Sequence, residues 1–384
     1  MPRNALISGV FDTDVGSLPG RTALSLQTEA ALGAVADAGL TLGDVDGVLC
    51  AYSFTEPHPM PSSVFCEALG LEPKFNAAIQ VGGATACILI AQAAALVTSG
   101  QCRHVLCVTG DNRLTGMPPG GAVTALAQFG HPQFEQPYGM TIPSAYALVA
   151  RRYMHEYGTT LEHLAAIAVT QRRHAGRHPK AQVREPLTLA QACASRVISS
   201  PLRAIDCCLI SDGAAAVVIS AAETSADLNV TPIEILGAGQ GHTHEHLFAA
   251  PSLTEFGCTH SARLAFERAG VSPKDIDVAE IYDSFTITLL IELESMGFFA
   301  KGEAGPAILE GALDLGGALP CNTHGGLLSY AAAGAAGGMF HVIEAVRQLR
   351  GVANGRQVDN AELAFVHGDG GVLSAHCSLI LGRN

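Results

Sequence analysis

Apolar residues occur along this chain in two alternating patterns, long Ala-rich stretches and short runs of Val, Ile and Leu. The stretches at 85–99 and 334–350 have the length and composition of helices, and the runs at 105–111 and 214–219 have those of buried strands. Because the two kinds of segment alternate throughout, the pattern predicts a layered α/β protein with mostly parallel sheets, covered by helices on both faces.

Two pairs of segments repeat the same order of features. Ala31–Cys50 and Ala262–Ile281 each contain an Ala-rich helix that ends at Ala-Gly, then an Asp-x-Asp and the start of a strand. Val105–Asp111 and Leu363–Asp369 each end in Gly-Asp and each follow a long apolar helix. Two such matches in the same order predict a duplicated α/β domain.

The duplication predicts an N-terminal half at residues 1–225 and a C-terminal half at 226–384. A long segment at about 112–202 has no counterpart in the second half and is predicted to be an inserted loop domain with a helix at Ser144–Tyr157. The Pro-rich segment Thr55–Ser63 is predicted to be a loop.

Composition excludes several classes of protein. Of the 384 residues, 48% are hydrophobic and 15% charged, and the formal charge is -13. An acidic globular chain is a poor nucleic-acid binder, because that affinity comes mainly from Lys and Arg that neutralise phosphates. Apolar runs such as Ala86–Val97 are too short to span a bilayer, so we expect no membrane segment.

The eleven cysteines are scattered, odd in number and without a CxxC pair, and the N-terminus does not have the pattern of a secretory signal. We therefore expect a reduced, cytoplasmic protein with neither a disulfide framework nor a metal site.

Four polar segments lie where apolar strands end or helices begin. They are Val81–Gly83, Ile281–Phe285 (IYDSF), Asn322–Tyr330 (NTHGGLLSY) and His367–Gly371 (HGDGG). In a duplicated α/β fold such ends converge, and helix N-termini there stabilise anions. The set predicts an active site, with purely structural turns as the alternative.

Three side chains in these segments could act as acids or bases. His367 follows an apolar run and could exchange protons near neutral pH, or could merely cap a strand end. Tyr282 and Asp283 also follow a strand, where a phenol beside a carboxylate could serve a substrate oxygen. The alternative for Asp283 is a helix N-cap.

Other candidates lie around Gly325 and Gly326. Asn322 and His324 could present donors to a developing oxyanion. Tyr330 precedes the Ala/Gly stretch 331–338, which leaves room either for a ligand or for close helix packing.

A basic run in this acidic chain could receive a phosphorylated ligand such as a coenzyme, or could be a solvated helix face. Its members are Arg172, Arg173, Arg177, Lys180 and Arg184.

These motifs make the chain similar to the thiolase superfamily, in particular to its sterol-carrier-protein-type and lipid-transfer-protein thiolase-like branch. The most specific pieces are NTHGGLLSY at Asn322, EAVRQLRG at Glu344–Gly351, GRQV at Gly355–Val358 and HGDGG at His367. The resemblance implies two α/β halves in a five-layered αβαβα arrangement, an inserted loop domain that binds coenzyme A, and a homodimer.

Two catalytic groups of that superfamily are absent. The nucleophilic cysteine at the start of the central helix falls at or beside Gly83, and Cys87, one turn deeper, is a poor substitute. The Gly-His-Pro motif corresponds to Ala331–Ala333. His367 and Asn322 match residues that the branch retains. Without the cysteine, an acyl-enzyme mechanism is disfavoured.

Within the superfamily the chain resembles the steroid side-chain aldolases, which carry YD-x-FT and NTHGG. This resemblance implies retro-aldol cleavage or formation of a carbon–carbon bond in a coenzyme A thioester, in lipid and steroid side-chain metabolism, with no covalently bound cofactor. It also implies a small zinc-ribbon/OB-fold partner protein.

The resulting hypothesis assigns a role to each candidate. The acid/base groups are Tyr282, Asp283 and His367, and the oxygen-binding donors are Asn322 and His324. Tyr330 is the second active-site tyrosine. The basic run, Gly325 and Gly326 bind the coenzyme. Two alternatives remain open: an acyltransferase that uses Cys87 or another thiol, and a non-catalytic carrier of acyl-CoA or lipid.

Overall fold

The computed structural model describes residues 4–227 and 230–383. The strands are β1 (Ala5–Asp12), β2 (Gly47–Ala51), β3 (Phe75–Ile79), β4 (His104–Asn112), β5 (Val197–Ser199), β6 (Leu202–Arg203), β7 (Asp212–Ala221), β8 (Ile233–His242), β9 (Val278–Ile281), β10 (Leu363–Gly370) and β11 (Ala375–Arg383). The helices are α1 (Ala23–Asp37), α2 (Pro61–Leu69), α3 (Thr85–Thr98), α4 (Gly121–Ala127), α5 (Ile142–Tyr157), α6 (Leu161–Ala175), α7 (Leu189–Cys193), α8 (Cys258–Ala269), α9 (Thr286–Ser295), α10 (Ala304–Leu309), α11 (Gly326–Ser329) and α12 (Ala336–Arg350).

Nine strands form one mixed sheet in the order β3-β2-β4-β7-β1-β8-β11-β10-β9. Only the pairs β2–β3, β2–β4 and β9–β10 are parallel, and the other five neighbouring pairs are antiparallel. The prediction of mostly parallel sheets was therefore wrong. Continuous apolar runs show that a strand is buried on both faces, and they contain no information on its direction.

The layers follow the predicted duplication. Helix α3 contacts β4, β7 and β10, and α12 contacts β7, β9 and β10, so these two helices lie between the strands of the two halves. Helix α1 packs on β1 and β7, and α8 packs on β8 and β11, as outer layers. The strands β3, β2, β4, β7 and β1 are one β layer, and β8, β11, β10 and β9, joined to them by the short β1–β8 pairing, are the other. With the helices, they make the five-layered αβαβα arrangement that the resemblance implied.

The two central helices approach each other closely at their N-termini. A Cβ atom at Gly338 would lie only 2.7 Å from the backbone oxygen of Gly83. Glycine at this position therefore lets the start of α12 reach the start of α3, and the Gly-rich ends of both helices meet beside β9 and β10.

The predicted elements outside the core agree with the structure except at two boundaries. The helix expected at Ser144–Tyr157 is α5, which begins two residues earlier, at Ile142. The loop expected at Thr55–Ser63 ends early, because α2 begins at Pro61, where a proline is tolerated in the first helical turn. Among the described residues, no helix is long and apolar enough to cross a membrane.

Candidate active site

Tyr282 occupies the space beside Gly83, where a side chain would otherwise stand. A Cβ atom at Gly83 would lie 2.2 Å from Tyr282 Cζ, 2.5 Å from its hydroxyl oxygen and 2.3 Å from the Asp369 carbonyl oxygen. These distances are far below van der Waals contact, so position 83 accepts no cysteine unless both Tyr282 and the backbone at Asp369 move. The phenol fills the space that a side chain at the start of the central helix would need.

The end of β9 positions this phenol. The backbone N–H of Tyr282 donates to the His367 carbonyl oxygen at 3.0 Å, which extends the pairing of β9 with β10. The side chain remains partly accessible. Burial, together with the neighbouring Cys208 thiol and Asp369 carboxyl, raises the pKa of Tyr282 well above its ordinary range. The phenol is therefore neutral and suited to donate a hydrogen bond.

Asp283 is buried at the N-terminus of α11. Its Oδ1 accepts from the Leu327 N–H at 2.7 Å, and its Oδ2 from the Leu328 N–H at 3.4 Å. Gly326 has φ +60°, and a Cβ there would lie 2.1 Å from Asp283 Oδ2, so only glycine admits the carboxyl group. Asp283 thus caps α11 and not the helix that follows it. Burial raises the pKa of Asp283 to about 7, which suits proton exchange.

Glu280, Asp283, His324 and His341 form what we call the first cluster. Glu280 Oε2 lies 3.0 Å from His324 Nδ1 and 3.6 Å from His341 Nδ1. His341 Nε2 lies 3.6 Å from Asp283 Oδ1, and the rings of His341 and Tyr282 are 6.1 Å apart. The first cluster therefore runs from beneath the partly accessible phenol into the core.

Charge within the first cluster is balanced. Burial would raise the pKa of Glu280, but His324 and His341 hold it at about 2. Burial would lower the pKa of His324, but the Glu280 carboxylate leaves it above its ordinary value. Burial lowers the pKa of His341 to about 4. An imidazolium at His324 therefore faces a carboxylate at Glu280, beside a neutral His341.

The sequence interpretation missed Glu280 and His341. Glu280 is a carboxylate inside the apolar run of β9, and His341 a lone imidazole within the apolar helix α12. A buried ionisable residue needs a partner, and that rule marks both positions, but the partners become visible only when β9 and α12 are brought together.

Asn322 holds the NTHGG segment against β9. Its backbone has φ +53°, its Oδ1 accepts from the Ile281 N–H at 2.7 Å, and its Nδ2 donates to the Ile281 carbonyl oxygen at 2.8 Å. Both polar ends of the amide are therefore engaged by the protein backbone, and an interaction with a substrate oxygen would compete with Ile281.

His367 lies on the other face of the sheet from Gly83. Its imidazole Nε2 is 3.3 Å from Glu292 Oε1 and 3.2 Å from His376 Nδ1. The next residue, Gly368, faces the Gly83 carbonyl oxygen and the Cys87 thiol. Because successive residues of a strand point to opposite faces, the structure does not bring the His367 imidazole together with Tyr282. We call Glu292, His367, Asp369 and His376 the second cluster.

Tyr330 is buried on the far side of His324. Its hydroxyl donates to Asp12 Oδ2 at 2.6 Å, and Arg347 binds the same carboxylate with hydrogen bonds of 3.0 and 2.5 Å. The ring of Tyr330 packs edge-on against that of His324 at 5.1 Å. The phenol therefore belongs to a closed network and supports His324 by contact.

Two members of the basic run are tied to acidic partners. Arg173 pairs with Asp314, and Lys180 donates to the Asp12 carbonyl oxygen at 2.9 Å while lying 3.7 Å from the Asp12 carboxylate. Neither side chain presents a free charge to a ligand.

The other three basic residues are more open. Arg172 donates to Ser329 Oγ at 3.0 Å, and the side chains of Arg177 and Arg184 are exposed. Gly325, with φ +109°, packs against Ala175, where a Cβ would lie at 2.6 Å. Arg177 and Arg184 are therefore the members of the run that remain available to a phosphate.

Cys87 is fully buried in α3, and all eleven cysteines are free. Burial raises the pKa of the Cys87 thiol to about 12. Since the thiolate is the nucleophile, a thiol in this environment is inert at neutral pH.

Known proteins resemble this chain over its full length. Residues 239–383 match the family described as thiolase C-terminal domain-like. A steroid side-chain-cleaving aldolase from Thermomonospora curvata is 37% identical over 100% of this chain and 99% of its own length. A 17-hydroxy-3-oxo-4-pregnene-20-carboxyl-CoA lyase from Mycobacterium tuberculosis is 38% identical, over 91% of this chain and 92% of the lyase. An acetyl-CoA acetyltransferase from Methanothermobacter thermautotrophicus is 33% identical, over 97% of this chain and 99% of the acetyltransferase.

A solved structure described as the Ltp2-ChsH2(DUF35) aldolase has the same fold. It superposes with a TM-score of 0.86 at 36% identity, over 99% of this chain and 98% of that chain. The motifs, the five-layered fold and these full-length relatives agree, and the chain belongs to the thiolase superfamily, in the part that includes the steroid side-chain-cleaving aldolases.

Proposed function

We propose that this protein is a lyase that breaks or forms a carbon–carbon bond in a coenzyme A thioester by retro-aldol chemistry, without an acyl-cysteine intermediate. The observation that carries the proposal is the Tyr282 ring in the space beside Gly83. The names of the aldolase and CoA lyase relatives support the same reaction class.

The proposed reaction needs a base and a donor on either side of the bond that breaks. Asp283, with its pKa near 7, takes the proton of the substrate β-hydroxyl group. The carbon–carbon bond then breaks, its electrons pass to the thioester as an enolate, and a carbonyl product forms. Tyr282 donates a hydrogen bond to the enolate oxygen and then a proton to the enolate α-carbon. The proton held by Asp283 passes to the Tyr282 phenolate and restores the phenol.

The remaining residues of the first cluster act behind this pair. The Glu280–His324 ion pair and the neutral His341 adjoin Asp283. The positive charge of His324 opposes the effect of burial on the pKa of Asp283, which keeps this carboxyl group able to exchange a proton near neutral pH. Asn322 and Tyr330 are positioning residues in this proposal, because their polar groups bind Ile281 and Asp12.

The coenzyme and partner assignments are also proposals. Arg177 and Arg184 offer exposed guanidinium groups to the phosphates of coenzyme A. The name of the similar Ltp2-ChsH2(DUF35) aldolase includes a second, DUF35 component. We propose a small zinc-ribbon/OB-fold partner for this chain and a homodimeric core, which co-purification from the native host and light scattering would test.

The decisive assay supplies a β-hydroxyacyl-CoA with a steroid-type side chain to the chain and its co-purified partner. Mass spectrometry should show a carbonyl product and a shortened acyl-CoA in equal amounts. Transfer of an acyl group between two CoA molecules would instead favour the acyltransferase alternative, which the acetyltransferase relatives suggest. Tight binding with no bond cleavage would favour a carrier.

A further inference from the structure

The second cluster brings four ionisable side chains together in the core, on the outer face of the C-terminal strands. Glu292 comes from α9, His367 and Asp369 from β10, and His376 from β11. All four are 0 or 1% exposed. The pairing of β10 with β11 places Asp369 opposite His376, so the three strand residues share the face that Glu292 approaches.

Glu280 Oε1 in the first cluster accepts two hydrogen bonds from Thr323, whereas Glu292 accepts none from the described residues. Both oxygens of Glu292, Asp369 Oδ1 and His376 Nε2 are buried without a hydrogen-bond partner there. The ion-pair neighbours of Glu292 within the described part of the chain are the two imidazoles, with no Arg or Lys. A buried carboxylate without hydrogen-bond partners is strongly disfavoured, so the arrangement calls for a cation or for protons.

The spacing of the donor atoms fits a metal ion. His367 Nε2 lies 3.3 Å from Glu292 Oε1 and 3.2 Å from His376 Nδ1, and His376 Nδ1 lies 3.7 Å from Glu292 Oε1 and 3.8 Å from Asp369 Oδ1. Tetrahedral ligands at ordinary zinc distances are separated by about 3.3–3.6 Å.

The surrounding groups would orient such ligands. His367 Nδ1 is 2.8 Å from Ser378 Oγ, which fixes the ring and leaves Nε2 as the metal-facing nitrogen. Tyr146 donates to Asp369 Oδ2 at 2.9 Å, which leaves Oδ1 turned toward His376. Hydrogen bonds to the outward atoms of ligands are the usual support of protein metal sites.

We propose that Glu292, His367 and His376 hold a divalent first-row metal ion, with Zn²⁺ as the ion that two imidazoles and a carboxylate at this spacing fit best. These three ligands would join α9 to β10 and β11 through the ion, and Asp369 Oδ1, 3.8 Å from His376 Nδ1, would add a second carboxyl group beside it. Two carboxylates would balance its charge in the core.

The test measures bound metal in the full chain, produced without a histidine tag, unfolded with chelator and refolded with or without Zn²⁺. We expect about one equivalent per chain after refolding with Zn²⁺, a higher Tm than for the chelated chain, and tetrahedral ligand-field bands when Co²⁺ replaces Zn²⁺. A wild-type chain that refolds to the same Tm with chelator and binds no metal would overturn the proposal.

Two matched variants locate the ion. Glu292→Gln should abolish metal binding, whereas Glu280→Gln, the same change in the first cluster, should retain it. The reverse result would overturn the assignment. If Glu292→Gln does not fold, His376→Gln replaces it. A gain in Tm for Glu292→Gln without metal would mean that Glu292 shares a proton with His367, and would also refute the site.

Discussion

The two buried clusters contain the same kinds of side chain, two histidines and two carboxyl groups each, but they differ in the hydrogen bonds that their carboxyl groups accept. In the first cluster, Glu280 Oε1 accepts two hydrogen bonds from Thr323, and Asp283 accepts two from the backbone of α11. In the second, neither oxygen of Glu292 has a hydrogen-bond partner among the described residues. Composition alone therefore does not identify an active site. A cluster whose carboxyl groups accept hydrogen bonds from the protein is suited to proton transfer, and one with an unpartnered carboxyl group is suited to a bound cation.

Loss of the Tyr282 hydroxyl should have the largest effect on activity. Tyr282→Phe keeps the ring beside Gly83 but removes the proton donor, and we expect kcat to fall by about 10²–10⁴-fold. Tm should change little. The matched control is Tyr138→Phe, a hydroxyl loss on an exposed tyrosine. Retained turnover in Tyr282→Phe would move the chemistry away from the first cluster.

A side chain at Gly83 should displace the phenol. The Cβ atom of Gly83→Ala would lie 2.2 Å from Tyr282 Cζ and 2.3 Å from the Asp369 carbonyl oxygen. We therefore expect a large loss of kcat and a loss of stability of about 1–3 kcal/mol. Denaturant unfolding and turnover would measure both. Gly43→Ala is the control, because its nearest atom would be 3.7 Å away. A fully active Gly83→Ala would mean that the ring position is irrelevant.

The titration of Asp283 should appear in the pH profile. Its folded pKa of about 7 is above the ordinary value of 3.8, so kcat/KM should rise as pH increases through about 7, where the carboxylate forms. The folded state holds this proton more tightly than the unfolded state. The contribution of Asp283 to stability should therefore fall as pH rises from about 4 to about 7.

Asp283→Asn separates these two effects. The amide can still accept from α11 but cannot take a proton, so the rising limb of kcat/KM and this part of the pH dependence of stability should both disappear. An unchanged pH profile would assign the limb to another group.

Removal of the exposed basic side chains should have the smallest effect. We expect Arg177→Ala with Arg184→Ala to raise KM for the thioester by about tenfold and to leave kcat unchanged, because charge-assisted hydrogen bonds to phosphate bind ground and transition states alike. Arg263→Ala, an exposed arginine of α8, is the control. Equal KM for the pair and the control would place the coenzyme elsewhere.

The sequence predicted the duplicated fold and the missing thiol because both depend on local patterns. Repeated Ala-Gly and Gly-Asp stops mark equivalent elements, and Gly83 itself has no side chain. Strand direction and the face of His367 were not predictable in this way. The alternation along β10 shows that His367 and Gly368 point to opposite faces, but only the contacts with α3 and with Glu292 of α9 show which face each one occupies.

The pairings within both clusters also depend on distant contacts. Glu280 and His341 come from β9 and α12, and Glu292 and His376 from α9 and β11. Each is an ionisable residue within a largely apolar segment, and Glu292 and His341 have a second one nearby, Glu294 and Glu344. Such residues signal buried partners without identifying them. Likewise, the basic run was visible in the sequence, but the ion pairs of Arg173 and Lys180, which reduce the number of its free positive charges, were not.

The central claim, that a phenol beside Gly83 has replaced covalent cysteine chemistry, is tested most directly by a search for an acyl-enzyme during turnover. The purified complex would be incubated with β-hydroxyacyl-CoA, quenched in acid and digested, and all cysteine peptides examined by mass spectrometry. The account predicts cleavage products with every cysteine unmodified. An acylated cysteine peptide, at Cys87 or elsewhere, formed as fast as product appears would contradict it.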